Sequence, residues 1–276
     1  MFFSDMKFKI LFLFCSIILF ASCSQYQKVL NGDDVSKKYA LADSLYRVGK
    51  YKKSLKLMEQ IVPAYRGKPQ AQRLSFIYAN TFYVLGDYAL SGYQYERFEQ
   101  QYPTSDSVEV AAYRSARSYY ELSPRFSLDQ KDTYKGLTKL QTFINKYPES
   151  EKRVEANALV KELREKLEQK DIEIADQMLK TAQAFGSYKP ALEAYDNFIT
   201  DHPGSIYRKN AFYGRFNSAY QQAINSIPSV VNERLISAKD YYKSFIKYYG
   251  ESDFRDDADA ILADINKRLE EKEPTS

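Results

Sequence analysis

The sequence predicts an all-α fold, a helical-repeat solenoid of about five helix pairs. The main observation is an octapeptide that recurs four times, beginning at Phe98, Phe143, Phe198 and Phe245. The intervals between these phenylalanines, 45, 55 and 47 residues, are typical of helical repeat arrays. Two further observations agree with this fold class: Gly and Pro are few, at 10 and 9 of 276 residues, and the sequence has no alternating patterns typical of strands.

The octapeptide itself predicts the end of one helix and the start of the next. Its first copy reads Phe98-Glu-Gln-Gln-Tyr102-Pro103-Thr-Ser105. Phe98 and Tyr102 are four residues apart and therefore lie on one helix face. Proline stops the helix, and the following serine can cap a new one. The fourth copy has Gly250 where the others have proline.

The first 22 residues have the features of a secretory signal peptide. Lys7 and Lys9 precede an apolar run over residues 10–20, which is too short to span a bilayer. The small residues Ala21 and Ser22 then precede Cys23, and Phe-Ala-Ser-Cys resembles the lipobox of bacterial lipoproteins. We therefore expect a signal peptide over residues 1–22 and lipidation of Cys23.

Two alternatives for Cys23 remain open at this point: a plain signal peptide with a coincidental cysteine, or a buried structural cysteine. Cys15 leaves with the signal peptide, so Cys23 would be the only cysteine and no disulfide could form within the chain. Residues 23–34 are interpreted as a lipidated tether, because Asn31-Gly32 is turn-like.

Charge and residue types argue against several functions. Without residues 1–22 the chain has 38 basic and 35 acidic residues, a net charge of +3, which favours neither nucleic acid nor strong electrostatic adhesion to membranes. The only histidine, His202, occupies the tyrosine position of an octapeptide and is interpreted as a packing residue. No zinc-site spacing, catalytic triad or glycine-rich phosphate loop is present, so we predict no enzyme, cofactor or metal.

Residues 35–150 are predicted to form three tetratricopeptide-like repeats. The first two have large, small and aromatic residues, a turn glycine and a second-helix stripe at the expected spacing. These positions are Leu41, Ala42, Leu45, Gly49, Tyr51, Ser54, Met58 and Ile61, and then Tyr78, Ala79, Phe82, Gly86, Tyr88, Ser91, Tyr95 and Phe98. The third repeat has an insertion over residues 123–130 before its second helix.

Residues 151–276 are predicted to contain a long connecting helix, repeats four and five, and a capping helix. The pattern over 151–185 is helical without a break. Residues 207–225 and 230–249 form the fifth pair, and 254–269 form the cap.

A candidate binding groove follows from positions that neighbour the packing stripe on the first helix of each N-terminal repeat. Tyrosine offers a large contact area and a hydroxyl, which suits a peptide groove. Arg117 is placed where a terminal carboxylate could accept hydrogen bonds from its guanidinium group. The alternative, left open here, is that several of these rings pack between repeats. The predicted groove residues are Tyr39, Tyr46, Phe76, Asn80, Tyr83, Tyr113, Arg117 and Tyr120.

Taken together, the lipobox, the repeats, the octapeptide and the Ser-Pro-Arg-x-x-Leu-Asp-Gln insertion resemble the BamD family, lipoproteins of the β-barrel assembly machinery. The resemblance implies a scaffold that faces the periplasm at the outer membrane, anchored there by lipid. It implies as partners unfolded outer-membrane proteins and a BamA-like outer-membrane barrel with periplasmic domains. Two rivals are a nutrient-uptake lipoprotein that binds glycan or a transporter barrel, and a periplasmic subunit that supports a catalytic partner.

Overall fold

A computed structural model of the chain describes residues 25–271, and these residues form helices and turns with no strand. The predicted all-α repeat fold is confirmed. The helices are α1 (residues 25–31), α2 (Val35–Arg47), α3 (Tyr51–Ile61), α4 (Ala71–Val84), α5 (Tyr88–Gln101), α6 (Val108–Glu121), α7 (Lys131–Lys146), α8 (Arg153–Phe185), α9 (Lys189–Asp201), α10 (Arg208–Ile224), α11 (Val231–Tyr249) and α12 (Arg255–Glu270).

The chain divides into two compact units. The first comprises the described residues up to Ser123 together with Asp132–Leu159, and the second comprises Pro124–Lys131 and the residues from Val160 onward. In the first unit α2 packs on α3, α3 on α4, α4 on α5 and α5 on α6. In the second unit α10 packs on α9, α11 and α12. Consecutive helices therefore bury their apolar faces against one another within each unit, as repeat architectures require.

The octapeptides end helices as the sequence predicts. Phe98, Phe143, Phe198 and Phe245 are all buried, and each contacts the aromatic ring four residues later. In the first three copies the serine Oγ accepts a hydrogen bond from the backbone amide two residues on, at 3.1–3.2 Å. Ser252 differs, because its Oγ has no hydrogen-bond partner among the described residues.

Glycine is required at two of the turns inside the helix pairs. Gly49 and Gly86 have φ angles of 75° and 81°, in the left-handed region that other residues avoid. Each follows the last turn of a first helix, and the next residue donates its amide back to a carbonyl of that helix, Lys50 to Leu45 and Asp87 to Phe82. The Gly-x-Tyr pattern therefore marks a helix C-terminus of the Schellman kind.

Residues 25–31 differ from the tether predicted for residues 23–34. Residues 25–31 form α1, and its Tyr26, Val29 and Leu30 pack against the apolar core of the first pair. The turn-like Asn31-Gly32 ends this short helix and leads into α2, where Asp34 accepts from the amide of Lys37 as N-cap.

The insertion over residues 123–130 is organised around one buried side chain. Gln130 is 5% exposed, and its Nε2 donates to the carbonyls of Arg125, Phe126 and Leu128 at 2.9–3.1 Å. Lys170 of α8 also donates to the Leu128 carbonyl, at 2.6 Å. These bonds satisfy carbonyls that a loop would otherwise leave to water, so the insertion has a defined backbone.

The second half of the chain follows the predicted order of helices. The continuous pattern over 151–185 corresponds to α8, which has 33 residues. The fifth pair corresponds to α10 and α11, and the cap to α12. Tyr195 of α9 is buried against the backbone of Gly214 in α10, and its hydroxyl donates to Asp176 of α8 at 2.5 Å.

Candidate functional site

The predicted groove residues lie on α2, α4 and α6, the first helices of three successive pairs. All belong to the first compact unit. The structure separates them by burial: Tyr113 is 7% exposed, whereas the rest are half-buried. Half-buried positions are held by their neighbours and still present a face to a ligand.

Phe76 and Tyr113 contribute to packing between helices, the alternative that the sequence left open for part of the set. The Phe76 ring contacts the rings of Tyr95 and Phe98 on α5, with centroids 5.6 and 5.4 Å apart. The Tyr113 ring contacts Phe143 on α7 at 5.3 Å. Burial raises the pKa of Tyr113 to about 12, so this phenol stays neutral.

Asn80 joins two repeats through a polar bridge. Its Nδ2 donates to the Tyr46 hydroxyl at 2.6 Å, and its Oδ1 accepts from the Tyr95 hydroxyl at 3.0 Å. Tyr95 is fully buried, so Asn80 satisfies a hydroxyl that has no access to bulk water. The bridge fixes the Tyr46 ring relative to α4 and α5.

Replacing Asn80 with Ala should destabilise the first unit by about 1–3 kcal/mol, because the buried Tyr95 hydroxyl loses its acceptor. Tyr46→Phe removes the half-buried end of the same bridge and should cost less. Hydrogen–deuterium exchange of the α4 and α5 amides measures the loss of stability in each variant. Equal protection in Asn80→Ala and the unmodified chain would show that the bridge is not structural.

Arg114, which is not among the predicted groove residues, covers Tyr83. Its guanidinium carbon lies 5.2 Å from the Tyr83 ring centroid, a cation–π contact. Tyr83 also meets Tyr88 edge-on at 5.5 Å, and burial raises the pKa of Tyr83. Among residues 25–271 no carboxylate lies within 4.0 Å of Arg114. Position 114 is one residue off the i, i+4, i+7 stripe, which is why spacing alone missed it.

Arg117 already holds two carboxylates. Its Nε donates to Glu121 at 3.0 Å and its Nη1 to Glu155 of α8 at 2.7 Å. The pKa of Glu155 lies below its usual value because Tyr113, Lys152 and Arg117 face its carboxylate. A ligand carboxylate at Arg117 would therefore share this guanidinium with two existing partners.

Tyr39, the first of the predicted groove residues, and Asp43 on the same helix both contact residues outside the predicted groove. The Tyr39 ring stacks on Tyr65 at 5.0 Å. Asp43 accepts from Arg73 at 2.6 Å and from Arg47 at 2.7 Å. Burial alone would raise the pKa of Asp43, but the two arginines hold it below its usual value. The Arg73–Asp43 ion pair links α4 to α2, whereas the Arg47–Asp43 pair lies within α2.

We call six of the half-buried residues in this region the tyrosine–arginine surface. Its tyrosines offer flat apolar faces with hydroxyls, and its arginines offer charge-assisted donors for a carboxylate. Aromatic faces and charge-assisted donors are the groups that peptide-binding surfaces use. The surface consists of Tyr46, Asn80, Tyr83, Arg114, Arg117 and Tyr120.

The predicted lipidation site, Cys23, and the predicted signal peptide lie outside the described residues. Across residues 25–271 no helix is long and apolar enough to cross a membrane. In the same range no three His, Cys, Asp or Glu side chains are grouped so that they could hold a metal ion.

A family model, YfiO, described as outer membrane lipoprotein, matches residues 32–186, more than half of the chain. The chain belongs to this family. The matched region of this YfiO-family chain runs from α2 through α8 and contains the whole tyrosine–arginine surface.

A curated relative of the YfiO-family chain is outer membrane protein assembly factor BamD of Caulobacter vibrioides, 28% identical over 130 residues. That match covers 46% of this chain and 42% of the relative, about two fifths of its length. Similar solved structures include the TPR2AB domain of yeast Sti1 in its pHSP90 complex, at 13% identity and a TM-score of 0.40, covering 86% of this chain and 100% of that one. The P58(IPK) TPR domain has 13% identity and a TM-score of 0.39, covering 90% and 69%.

Proposed function

We propose that this chain is a lipid-anchored scaffold on the periplasmic face of the outer membrane that helps to assemble outer-membrane β-barrel proteins. Membership of the outer membrane lipoprotein family carries the proposal, and the relative in Caulobacter vibrioides bears the name of an assembly factor. The scaffold would bring together unfolded barrel proteins and a BamA-like outer-membrane barrel with periplasmic domains. No catalytic step is required of it.

The tyrosine–arginine surface is the proposed site for the unfolded substrate. Its rings come from successive repeats, so an extended segment that crosses the repeats would meet several of them. Segments that end in an aromatic residue suit it, because Tyr46, Tyr83 and Tyr120 offer aromatic contacts and the two arginines offer donors to the terminal carboxylate. Arg114 is the stronger candidate for that carboxylate, because it has no ion pair among the described residues whereas Arg117 has two.

A fluorescein-labelled peptide with an aromatic C-terminal residue should bind the intact chain weakly, with a Kd on the order of micromolar or poorer, because ordering an extended peptide costs entropy. Arg114→Gln should weaken the free-carboxylate peptide by roughly 5- to 10-fold and its amidated twin much less. Fluorescence anisotropy measures the Kd of the free-carboxylate peptide and of the amidated peptide. Arg117→Gln should have a smaller effect on the same comparison.

Three results would contradict this assignment. Equal losses for the carboxylate and amidated peptides would remove Arg114 from the carboxylate role. A larger effect of Arg117→Gln would return that role to Arg117, as the sequence alone suggested. Failure of both peptides to bind the intact chain would remove the surface as the substrate site. Lys161→Gln, an exposed charge change on α8, is the matched control.

The proposed anchor is Cys23. Cys23→Ala should release the chain from the membrane fraction at high salt while leaving its circular dichroism unchanged, because no helix of residues 25–271 is long and apolar enough to cross the membrane. Metabolic acyl labelling followed by fractionation at high salt measures this. Retention of the variant in the membrane fraction would place the anchor elsewhere.

A further inference from the structure

The turn and the first half of α3 carry a concentrated positive charge. Residues 44–58 contain five basic residues and no acidic one, although the whole chain has a net charge of only +4. Four of the five are exposed lysines, and among residues 25–271 none of them has a carboxylate within ion-pair distance. We call these four the lysine patch: Lys50, Lys52, Lys53 and Lys56.

The lysine patch lies at the N-terminal end of α3, where positive charge is unfavourable. Lys50 is the N-cap of α3 and makes no side-chain capping bond, and the first turn has no acidic residue. The N-terminus of a helix carries partial positive charge, so lysines there oppose the helix dipole. The described part of the chain supplies no compensating anion. An anionic partner outside this fold would remove the conflict.

The lysine patch also lies beside the proposed anchor. The Tyr26 hydroxyl of α1 donates to the carbonyl of Lys53 at 3.2 Å, and the Lys53 ammonium lies 5.1 Å from the Tyr26 ring centroid. Because α1 packs on the first pair, only a short chain separates Cys23 from this contact. The three residues from Cys23 to Tyr26 span at most about 11 Å. A lipid on Cys23 would therefore hold the lysine patch close to the lipid headgroups.

We propose that the lysine patch docks the first repeat on an anionic phospholipid surface. Clustered lysines next to a membrane anchor bind anionic headgroups additively, and this attraction adds to that of acyl chains. The neighbouring Val48 is 64% exposed and Tyr51 is half-buried, so apolar contacts at the interface accompany the charges. The proposal rests on the anchor at Cys23 proposed above, and it adds a second membrane contact that sets the orientation of the first repeat.

The test uses the complete chain from residue 23 with Cys23→Ala, so that binding is independent of acylation. This protein should co-sediment with vesicles of phosphatidylcholine and phosphatidylglycerol at millimolar lipid concentration. It should not co-sediment with vesicles of phosphatidylcholine alone. Lys50→Gln, Lys52→Gln and Lys53→Gln combined should lower the partition coefficient by at least about tenfold. Raising the salt to about 0.5 M should have a similar effect, since screening shortens the reach of exposed charges.

A matched control removes three exposed lysines of α8, α9 and α11: Lys161→Gln, Lys189→Gln and Lys243→Gln combined. It should retain vesicle binding. The proposal is overturned if the intact chain binds anionic and neutral vesicles equally, or if both triple variants lose binding equally. Binding to an acidic peptide without binding to vesicles would also overturn it, in favour of a protein partner. Failure of acyl labelling at Cys23 would count against the anchor and not against the measured vesicle binding.

Discussion

Phe98→Ala should lower the free energy of unfolding of the first unit by about 3–5 kcal/mol, the usual loss for a buried phenylalanine. Phe98 is 1% exposed and contacts the rings of Phe76 on α4 and Tyr102 at the end of α5. Its removal leaves a cavity between α4 and α5, in a core cluster that also includes Ala111 of α6, and repeat stability depends on such interfaces. Hydrogen–deuterium exchange of the α4, α5 and α6 amides measures the loss in this unit alone.

Tyr83→Ala is the control for Phe98→Ala, because Tyr83 is half-buried and its ring belongs to the tyrosine–arginine surface. It should cost much less stability. It should also weaken the binding of the aromatic-ended peptide, which Phe98→Ala would impair only through unfolding. Comparable losses of protection in the two variants would show that core and surface are assigned wrongly.

Gly214→Ala should destabilise the second unit by about 1–3 kcal/mol, the usual cost of overpacking a core. A Cβ at position 214 would overlap the Tyr195 ring, which is buried and held by its hydrogen bond to Asp176. Helix propensity alone predicts the opposite sign, because alanine is favoured over glycine in a helix interior by about 1 kcal/mol. The close approach of α9 to α10 therefore decides the outcome.

Gly204→Ala is the matched control, since a Cβ there would meet nothing within 4 Å. Hydrogen exchange in α9 and α10 should be unchanged by Gly204→Ala and clearly faster in Gly214→Ala. A more protected Gly214→Ala variant would contradict the packing of Tyr195 against this glycine.

The repeat architecture was predictable because its signals are local. The rings of each octapeptide are four residues apart on one helix, and the structure shows all four pairs in contact. The turn glycines are equally local, because a left-handed backbone conformation selects glycine at Gly49 and Gly86 whatever surrounds them.

Burial on the candidate surface was less predictable, because it depends on neighbouring helices. Spacing places Phe76 and Asn80 on one face of α4, but only the position of α5 shows that Phe76 packs inward and that Asn80 bridges two tyrosines. Arg114 lies off the stripe, yet its long side chain reaches the Tyr83 ring. Residues 25–31 read as a tether because seven residues carry too little periodicity to indicate a helix, whereas their packing on the first pair is tertiary.

The proposed role of this YfiO-family chain in the assembly of outer-membrane β-barrels can be tested by depleting it from cells. Barrel proteins that are folded migrate differently from unfolded ones in unheated gel samples. When expression of the chain is stopped, we expect the folded fraction of several outer-membrane barrels to fall before growth slows, while other lipoproteins keep their normal levels. Expression of the intact chain should restore that fraction. Normal barrel folding in depleted cells, together with a loss of glycan uptake, would contradict the account.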